Sequence, residues 1–239
     1  MKETILLTGA TSDIGCEIYK NLIDTYDIVL MARDPKKVTN IYSNVPYQNV
    51  VYANLEEPEN TKQILYEHLN NNDIIINHFI HCAGLLQLEG IKSITYKNQI
   101  RIFNVNLFSA IQIIQVLLNK KNRPFFSTIS FISSLWSIRG TKGNSIYASS
   151  KGSLNSLCIN LAVELAPKIR VNSILPGAII TNMSKESFVE KNIEEVNKDY
   201  LLGLGSTSDI AGIIKFIISK EARWITGQNI IVDGGKSCK

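Results

Sequence analysis

Residues 4–15 read TILLTGATSDIG. Thr4–Leu7 is a short apolar run without polar alternation, which predicts a buried strand. The turn Thr8–Gly15 follows it and opens a stretch with helical apolar spacing. Glycine in such a turn lets the backbone approach a pyrophosphate closely, and the free N–H groups of a helix start meet its charge. The glycine pair takes its meaning from this strand–turn–helix context.

The same alternation continues almost to the end of the chain. Strands are predicted at Thr4–Leu7, Ile28–Met31, Asn49–Tyr52, Ile74–Ile80, Phe125–Ile132, Arg170–Leu175 and Asn229–Val232. Helical patterns lie between them, at Ile14–Thr25, Thr61–Asn70, Ile100–Asn119, Tyr147–Ala166 and Thr207–Ser219, with Pro167 as a terminator. Apolar strands separated by helices imply an α/β fold, a doubly wound parallel sheet covered on both faces and forming a single domain over residues 1–239. Ligands bind outside the carboxyl ends of such strands. Asn182–Gly203 breaks the rhythm. It is polar, carries Lys185, Glu186, Glu190, Lys191, Glu194, Glu195, Lys198 and Asp199, and reads either as a substrate lid or as an ordinary surface helix.

Composition narrows the function classes. A chain of 239 residues with 45% hydrophobic and 19% charged residues can bury a sizeable core. The net charge of +4 has no localised source. Its densest basic cluster, Lys120, Lys121 and Arg123, reads as the solvated end of a helix, so no nucleic-acid surface is expected. Cys16, Cys82, Cys158 and Cys238 form no metal-ligand spacing, and His78 and His81 lack a third ligand, so no metal is expected. Reduced thiols suit a cytosolic protein. No uninterrupted apolar stretch approaches the roughly 20 residues that cross a bilayer, and the amino terminus reads as a strand and not as a signal peptide. These features together predict a soluble cytoplasmic protein with no membrane partner.

Tyr147 and Lys151 stand four apart in YASSK at the head of a helical pattern, so both can face one cleft. A free tyrosine, with a pKa of about 10, exchanges protons poorly near neutrality. A lysine charge close by favours the phenolate and draws that pKa toward working pH. The spacing by itself also fits a surface pair. Eighteen residues beyond Gly15, at the end of the second strand, stands Arg33. An acid there would bind the adenosine ribose hydroxyls, whereas an arginine favours a 2′-phosphate. NADP(H) is therefore favoured, with NAD(H) as the alternative. The plain alternative for Arg33 is a solvated residue paired with Asp34.

TGATSDIG, the HCAG at 81–84, the asparagine of NVNL, the serine of ISS, YASSK and the proline–glycine of ILPGAIIT occur in order over nearly the whole chain. Together they resemble the short-chain dehydrogenase/reductase family. The resemblance implies that Ser134, thirteen residues before Tyr147, hydrogen-bonds the substrate oxygen while Tyr147 moves the proton. Lys151 would lower the tyrosine pKa and hold the nicotinamide ribose, and the Asn106 carbonyl would hold a relay water. The cofactor positions implied are Gly9, Ser12, Ile14, Gly15, Arg33, Asn54, Leu55, Ala83, Gly84, Tyr147, Lys151, Pro176, Gly177, Ile179 and Thr181. The last strand, WITGQNIIVDGG, resembles one that commonly joins subunits, which implies a homo-oligomer, tetramer or dimer.

The chain departs from the family pattern at several positions. Asp13 replaces the middle glycine of the fingerprint and is expected to turn outward and cap its helix. Asn54 replaces an acid and can accept through its amide oxygen. His81 and Cys82 replace paired asparagines and put one strand-stabilising hydrogen bond in question. Ser12 supplies no positive charge where many NADP-preferring members carry one. The implied activity is an NAD(P)(H)-dependent interconversion of a carbonyl and a secondary alcohol on a small molecule, nearest to 3-oxoacyl-acyl-carrier-protein reductase-like members. A sugar or polyol dehydrogenase is the alternative, and a nucleotide-binding scaffold without catalysis is the second.

Overall fold

The computed structural model describes residues 2–42, 45–182 and 193–238. Seven strands form one parallel sheet in the order β3-β2-β1-β4-β5-β6-β7. They are β1 (Thr4–Thr8), β2 (Asp27–Ala32), β3 (Val50–Tyr52), β4 (His78–His81), β5 (Thr128–Ile132), β6 (Arg170–Pro176) and β7 (Asn229–Val232). The strand order reverses between β1 and β4, and a crevice opens there outside the carboxyl ends.

Side chains alternate across each strand and build two cores. Leu6, Val29, Phe79, Ile129 and Val171 face helices α3 (Pro58–Asn71), α5 (Ser109–Leu117) and α6 (Ser145–Leu165). Ile5, Leu7, Ile28, Leu30, Ile80 and Ile174 face α1 (Asp13–Leu22) and the late helix Thr207–Ile218. With both faces covered, the strands have no polar side. This is the physical reason they read as continuous apolar runs.

The strand and helix assignments hold, and the ends shift where side chains take over backbone partners. β4 begins at His78 and not at Ile74. The Asn122 side chain occupies the Ile76 amide and carbonyl at 2.7 and 3.1 Å, and Asn77 Oδ1 accepts from the Thr4 amide at 2.8 Å. A helix that apolar spacing did not reveal, α2 (Pro35–Ile41), starts from Asp34, whose carboxylate accepts from the Lys36 amide at 2.9 Å. Asp34 followed by Pro35 at the first helical position was its signal.

The long helix begins earlier than expected, as α4 (Tyr96–Phe103), and passes through a π turn, Asn104–Phe108, into α5. Its 22 residues, Tyr96–Leu117, are long and apolar enough to cross a membrane by length and composition. Ile102, Ala110, Ile113 and Leu117 instead lie in the protein core. Of the expected lid, residues 183–192, with Lys185, Glu186, Phe188, Glu190 and Lys191, lie outside the described residues. The remainder forms a short helix, Ile193–Lys198, and a turn in which the Leu202 amide donates to the Gly234 carbonyl at 3.0 Å.

Gly9 has φ +66°, and a Cβ there would approach the Ala83 amide nitrogen to 2.6 Å. Gly9→Ala is therefore expected to lose at least about 2 kcal/mol in a denaturant melt, from left-handed strain and overpacking together. Gly212, exposed within the late helix with open space at its Cβ position, is the control. Gly212→Ala is expected to gain about 0.5–1 kcal/mol.

Candidate active site

β5 ends at Ile132, and the Ser133 amide continues its ladder by donating to the Ile174 carbonyl at 2.8 Å. The next residue, Ser134, caps a short 3₁₀ turn, its Oγ accepting from the Trp136 amide at 3.2 Å. Tyr147 lies in the first turn of α6, with its ring edge-on to Trp136. The Ser134 hydroxyl lies close enough to the phenol to favour its ionised form. Burial opposes this more strongly and pushes Tyr147 up to about 12. The expected lowering by Lys151 is thus overturned: the shift is upward. Desolvation of a phenolate outweighs the distant charge.

Lys151 does share the face with Tyr147, its Nζ lying 6.0 Å from the ring centroid. The amine is buried and donates to the Ile132 carbonyl at 2.7 Å. Burial lowers its pKa to about 8, because an ammonium loses water that one carbonyl does not replace. A Cβ on Gly84 would approach Nζ to 3.1 Å, so the absent side chain leaves this amine its space.

Asn106 lies in the π turn and is fully buried. Its Oδ1 accepts from the Leu85 amide at 2.7 Å, while Nδ2 donates to the Leu85 carbonyl at 3.2 Å and to Ser150 Oγ at 2.8 Å. The side chain thus ties the loop after β4 to α6. Strand register pairs Thr8 with His81, and His81 Nδ1 meets Thr8 Oγ1 at 3.0 Å. This bond links β1 to β4 at the position of the HCAG departure. Thr8 Oγ1 also accepts from the Ala83 amide at 3.2 Å. Burial and the Lys151 charge lower His81 to about 3, so it stays neutral.

At the nucleotide end, Ser12 is the α1 cap, accepting from the Gly15 amide at 3.1 Å and donating to the Gly9 carbonyl at 2.8 Å. Asp13 does not cap its own helix as expected. Its carboxylate accepts from the Asn182 amide at 2.6 Å and from Asn182 Nδ2 at 2.9 Å. With Ser12 already serving the helix, the Asp13 charge is drawn to donors beyond the end of β6. Gly15 packs against the turn so tightly that a Cβ would meet the Gly9 carbonyl oxygen at 2.3 Å. These glycines leave the turn bare beside the helix start, and the Asp13 and Ile14 amides lie in its unpaired first turn. This donor set fits a dinucleotide pyrophosphate.

Arg33 pairs with Glu56 at 3.2 Å, while Asp34 caps α2. Asn54 Oδ1 is engaged by the Glu56 amide at 3.2 Å, which stiffens the turn, and Leu55 packs on the core. Pro176 ends β6. The Gly177 amide donates to the Val232 carbonyl at 2.9 Å, and buried Ile179 bridges to Gly205. Thr181 precedes Asn182 on the same rim. The structure therefore brings Gly9, Ser12, Ile14 and Gly15 to one side of the crevice and Pro176–Thr181 to the other, with Ala83 and Gly84 below them. Asn182, Glu56 and Ser150 were not anticipated, since their partners are 169, 23 and 44 residues away in the chain.

A family model described as enoyl-(acyl carrier protein) reductase matches residues 9–237. The 3-oxoacyl-(acyl-carrier-protein) reductase of Buchnera aphidicola is 29% identical over 98% of this chain and 97% of its own length. The L-xylulose reductase of Bos taurus is 30% identical over 96% of this chain and 94% of its own. A crystal structure from Brucella melitensis, titled as a short-chain dehydrogenase/reductase and glucose/ribitol dehydrogenase, superposes with a TM-score of 0.86. It is 26% identical and covers 99% of both chains.

Because Lys151 titrates near 8 folded and near 10.4 unfolded, the unfolded chain binds more protons between those values. Its contribution to stability therefore rises with pH, by about 2 kcal/mol between pH 8 and 10. Lys151→Met should remove that slope, read as the difference between the two proteins' denaturant midpoints across the window. Asp13→Ala removes both acceptors of Asn182. Hydrogen exchange at the Asn182 amide should then accelerate about tenfold or more, as expected for losing a charged acceptor.

Proposed function

The chain belongs to the short-chain dehydrogenase/reductase family, and from that premise we propose that it is an NADPH-preferring ketoreductase. As a family member it is an NAD(P)(H)-dependent oxidoreductase that interconverts a carbonyl and an alcohol. A bound nicotinamide supplies the hydride, and the protein supplies orientation and the proton. One observation carries the reading. A phenol kept protonated by burial lies beside the Ser134 hydroxyl, on the face that also holds the Lys151 amine.

In this reading Tyr147 gives its hydroxyl proton to the carbonyl oxygen as the alcohol forms, and Ser134 donates a hydrogen bond to the same oxygen. Lys151, largely protonated at neutral pH, would hold ribose hydroxyls of the nucleotide through the Nζ donors that the Ile132 carbonyl leaves available. Asn106 keeps Leu85 and Ser150 in place, and the family resemblance supports its main-chain carbonyl as the acceptor in a proton relay. Ser12, Ile14, Gly9 and Gly15 receive the pyrophosphate, and Ile179 and Thr181 the carboxamide side. Arg33, two-thirds exposed at the end of β2, supports preference for a 2′-phosphate.

Burial pushes Tyr147 up to about 12, so the phenol is protonated across the neutral range, the state from which a carbonyl reduction would start. The L-xylulose reductase relative supports a second reading, in which the substrate is a sugar or polyol and the lid's polar residues 193–199 face it. A non-catalytic scaffold would be suggested by the departures at Asp13 and in HCAG, and that case weakens because Asp13 is turned onto Asn182 and His81 onto Thr8. Four unpaired cysteines suit a cytoplasmic setting. The exposed Val163 on α6 and Trp224 suit a homo-oligomer, tetramer or dimer.

Tyr147→Phe should reduce turnover of a carbonyl panel with NADPH by at least about 100-fold, the size of a lost general acid. NADPH binding should be unchanged in a fluorescence titration. Comparable activity in the variant would remove Tyr147 from the chemistry, and wild-type binding without turnover on any carbonyl would favour the scaffold.

A further inference from the structure

Beyond Arg33, the adenosine end of the crevice carries a charge arrangement that the cofactor motifs do not contain. One carboxylate oxygen, Glu56 Oε1, meets two guanidinium groups: Arg33 Nη1 at 3.2 Å and Arg101 Nε at 2.9 Å. The three residues come from separate elements, the end of β2, the turn after β3, and α4. Glu56 is the most buried of them, at 26% exposed against 67% for Arg33 and 39% for Arg101. Its backbone is held on both sides, the amide by Asn54 Oδ1 at 3.2 Å and the carbonyl by Asn104 Nδ2 at 2.8 Å. The carboxylate therefore stays in place while the exposed arginine is free to change partners.

We infer that Glu56, with Arg101 as its permanent counter-ion, sets the choice between NADP(H) and NAD(H) by competing for Arg33. This rests on the reading that a dinucleotide binds with its adenosine ribose beside Arg33. A guanidinium already on a carboxylate must leave it to serve a 2′-phosphate. The exchange is electrostatically tolerable only because Arg101 still neutralises Glu56 when Arg33 departs, since a half-buried carboxylate left without a partner is unfavourable. When no 2′-phosphate is present, Arg33 stays on Glu56 and the ion pair is undisturbed. The triad thus makes the site usable by both nucleotides and moderates the preference that an unencumbered arginine would give.

The test is direct binding of NADPH and NADH to the purified protein by fluorescence titration, with the melting temperature of each variant as a check of folding. Glu56→Gln keeps the side chain's shape and frees Arg33. It should tighten NADPH several-fold to about tenfold, the gain of an uncontested charge-assisted contact, and leave NADH unchanged or weaker. Arg101→Ala should do the opposite, since Glu56 then depends on Arg33 alone. In an Arg33→Ala background, Glu56→Gln should have no further effect on the NADPH-to-NADH ratio, which separates tethering from a general change of field. If Glu56→Gln lowers the melting temperature, Glu56→Asp, one methylene too short to hold both arginines, is expected to shift the ratio in the same direction. An unchanged ratio in the folded variants, or an equal effect with Arg33 absent, overturns the inference. Failure of the wild-type protein to bind either nucleotide would overturn the cofactor reading itself.

Discussion

The active site depends on a two-way tie between the end of β5 and the start of α6. Lys151 Nζ donates to the Ile132 carbonyl at 2.7 Å, and Ser133 Oγ donates back to the Lys151 carbonyl at 3.0 Å. The first bond supplies a buried amine with an acceptor, without which its burial would be far less favourable. The second fixes the height of α6 against the strand. Ser134 follows Ser133 directly and Tyr147 lies one helical turn before Lys151, so both candidate catalytic groups take their positions from this tie. Asn106 extends it by holding Ser150 and the loop after β4 on the same helix.

Three residues that break the family pattern each acquire a partner brought near by the fold. Asp13 bonds Asn182 across the rim, His81 bonds Thr8 across the β1–β4 ladder, and Asn54 bonds the Glu56 amide. In each case a polar group that could have weakened a nucleotide site is engaged within the protein, Asp13 through both carboxylate oxygens and His81 through Nδ1. The Asp13 carboxylate is the clearest example. Facing a pyrophosphate it would repel it, whereas turned onto two N–H donors it joins the helix start to the chain leaving β6.

Electrostatics divides the site into halves. Around Tyr147 desolvation dominates, so the phenol keeps its proton, the Lys151 ammonium is weakened, and His81 stays neutral. Around Arg33 the groups are exposed to water, and charge is balanced by pairing. The proton transfer proposed for Tyr147 would take place in the first environment. Recognition of an anionic nucleotide belongs in the second, where charges can exchange partners without heavy desolvation.

From the sequence alone came the parallel α/β architecture, the order of its elements and the candidate residues of the catalytic and nucleotide segments. Apolar runs, glycine turns and i,i+4 spacing are local, and they report what one segment can do. The two-sided burial of β1, β4 and β5 made those runs long and clear. Only the tertiary structure decided the side-chain partners. Asp13 finds Asn182, Arg33 finds Glu56 instead of neighbouring Asp34, and Asn122 shortens β4, all through contacts between distant segments. The direction of the Tyr147 shift was hidden for the same reason. Helical spacing brings a lysine near a phenol, but the extent of burial is set by everything packed around them, and burial is the stronger effect.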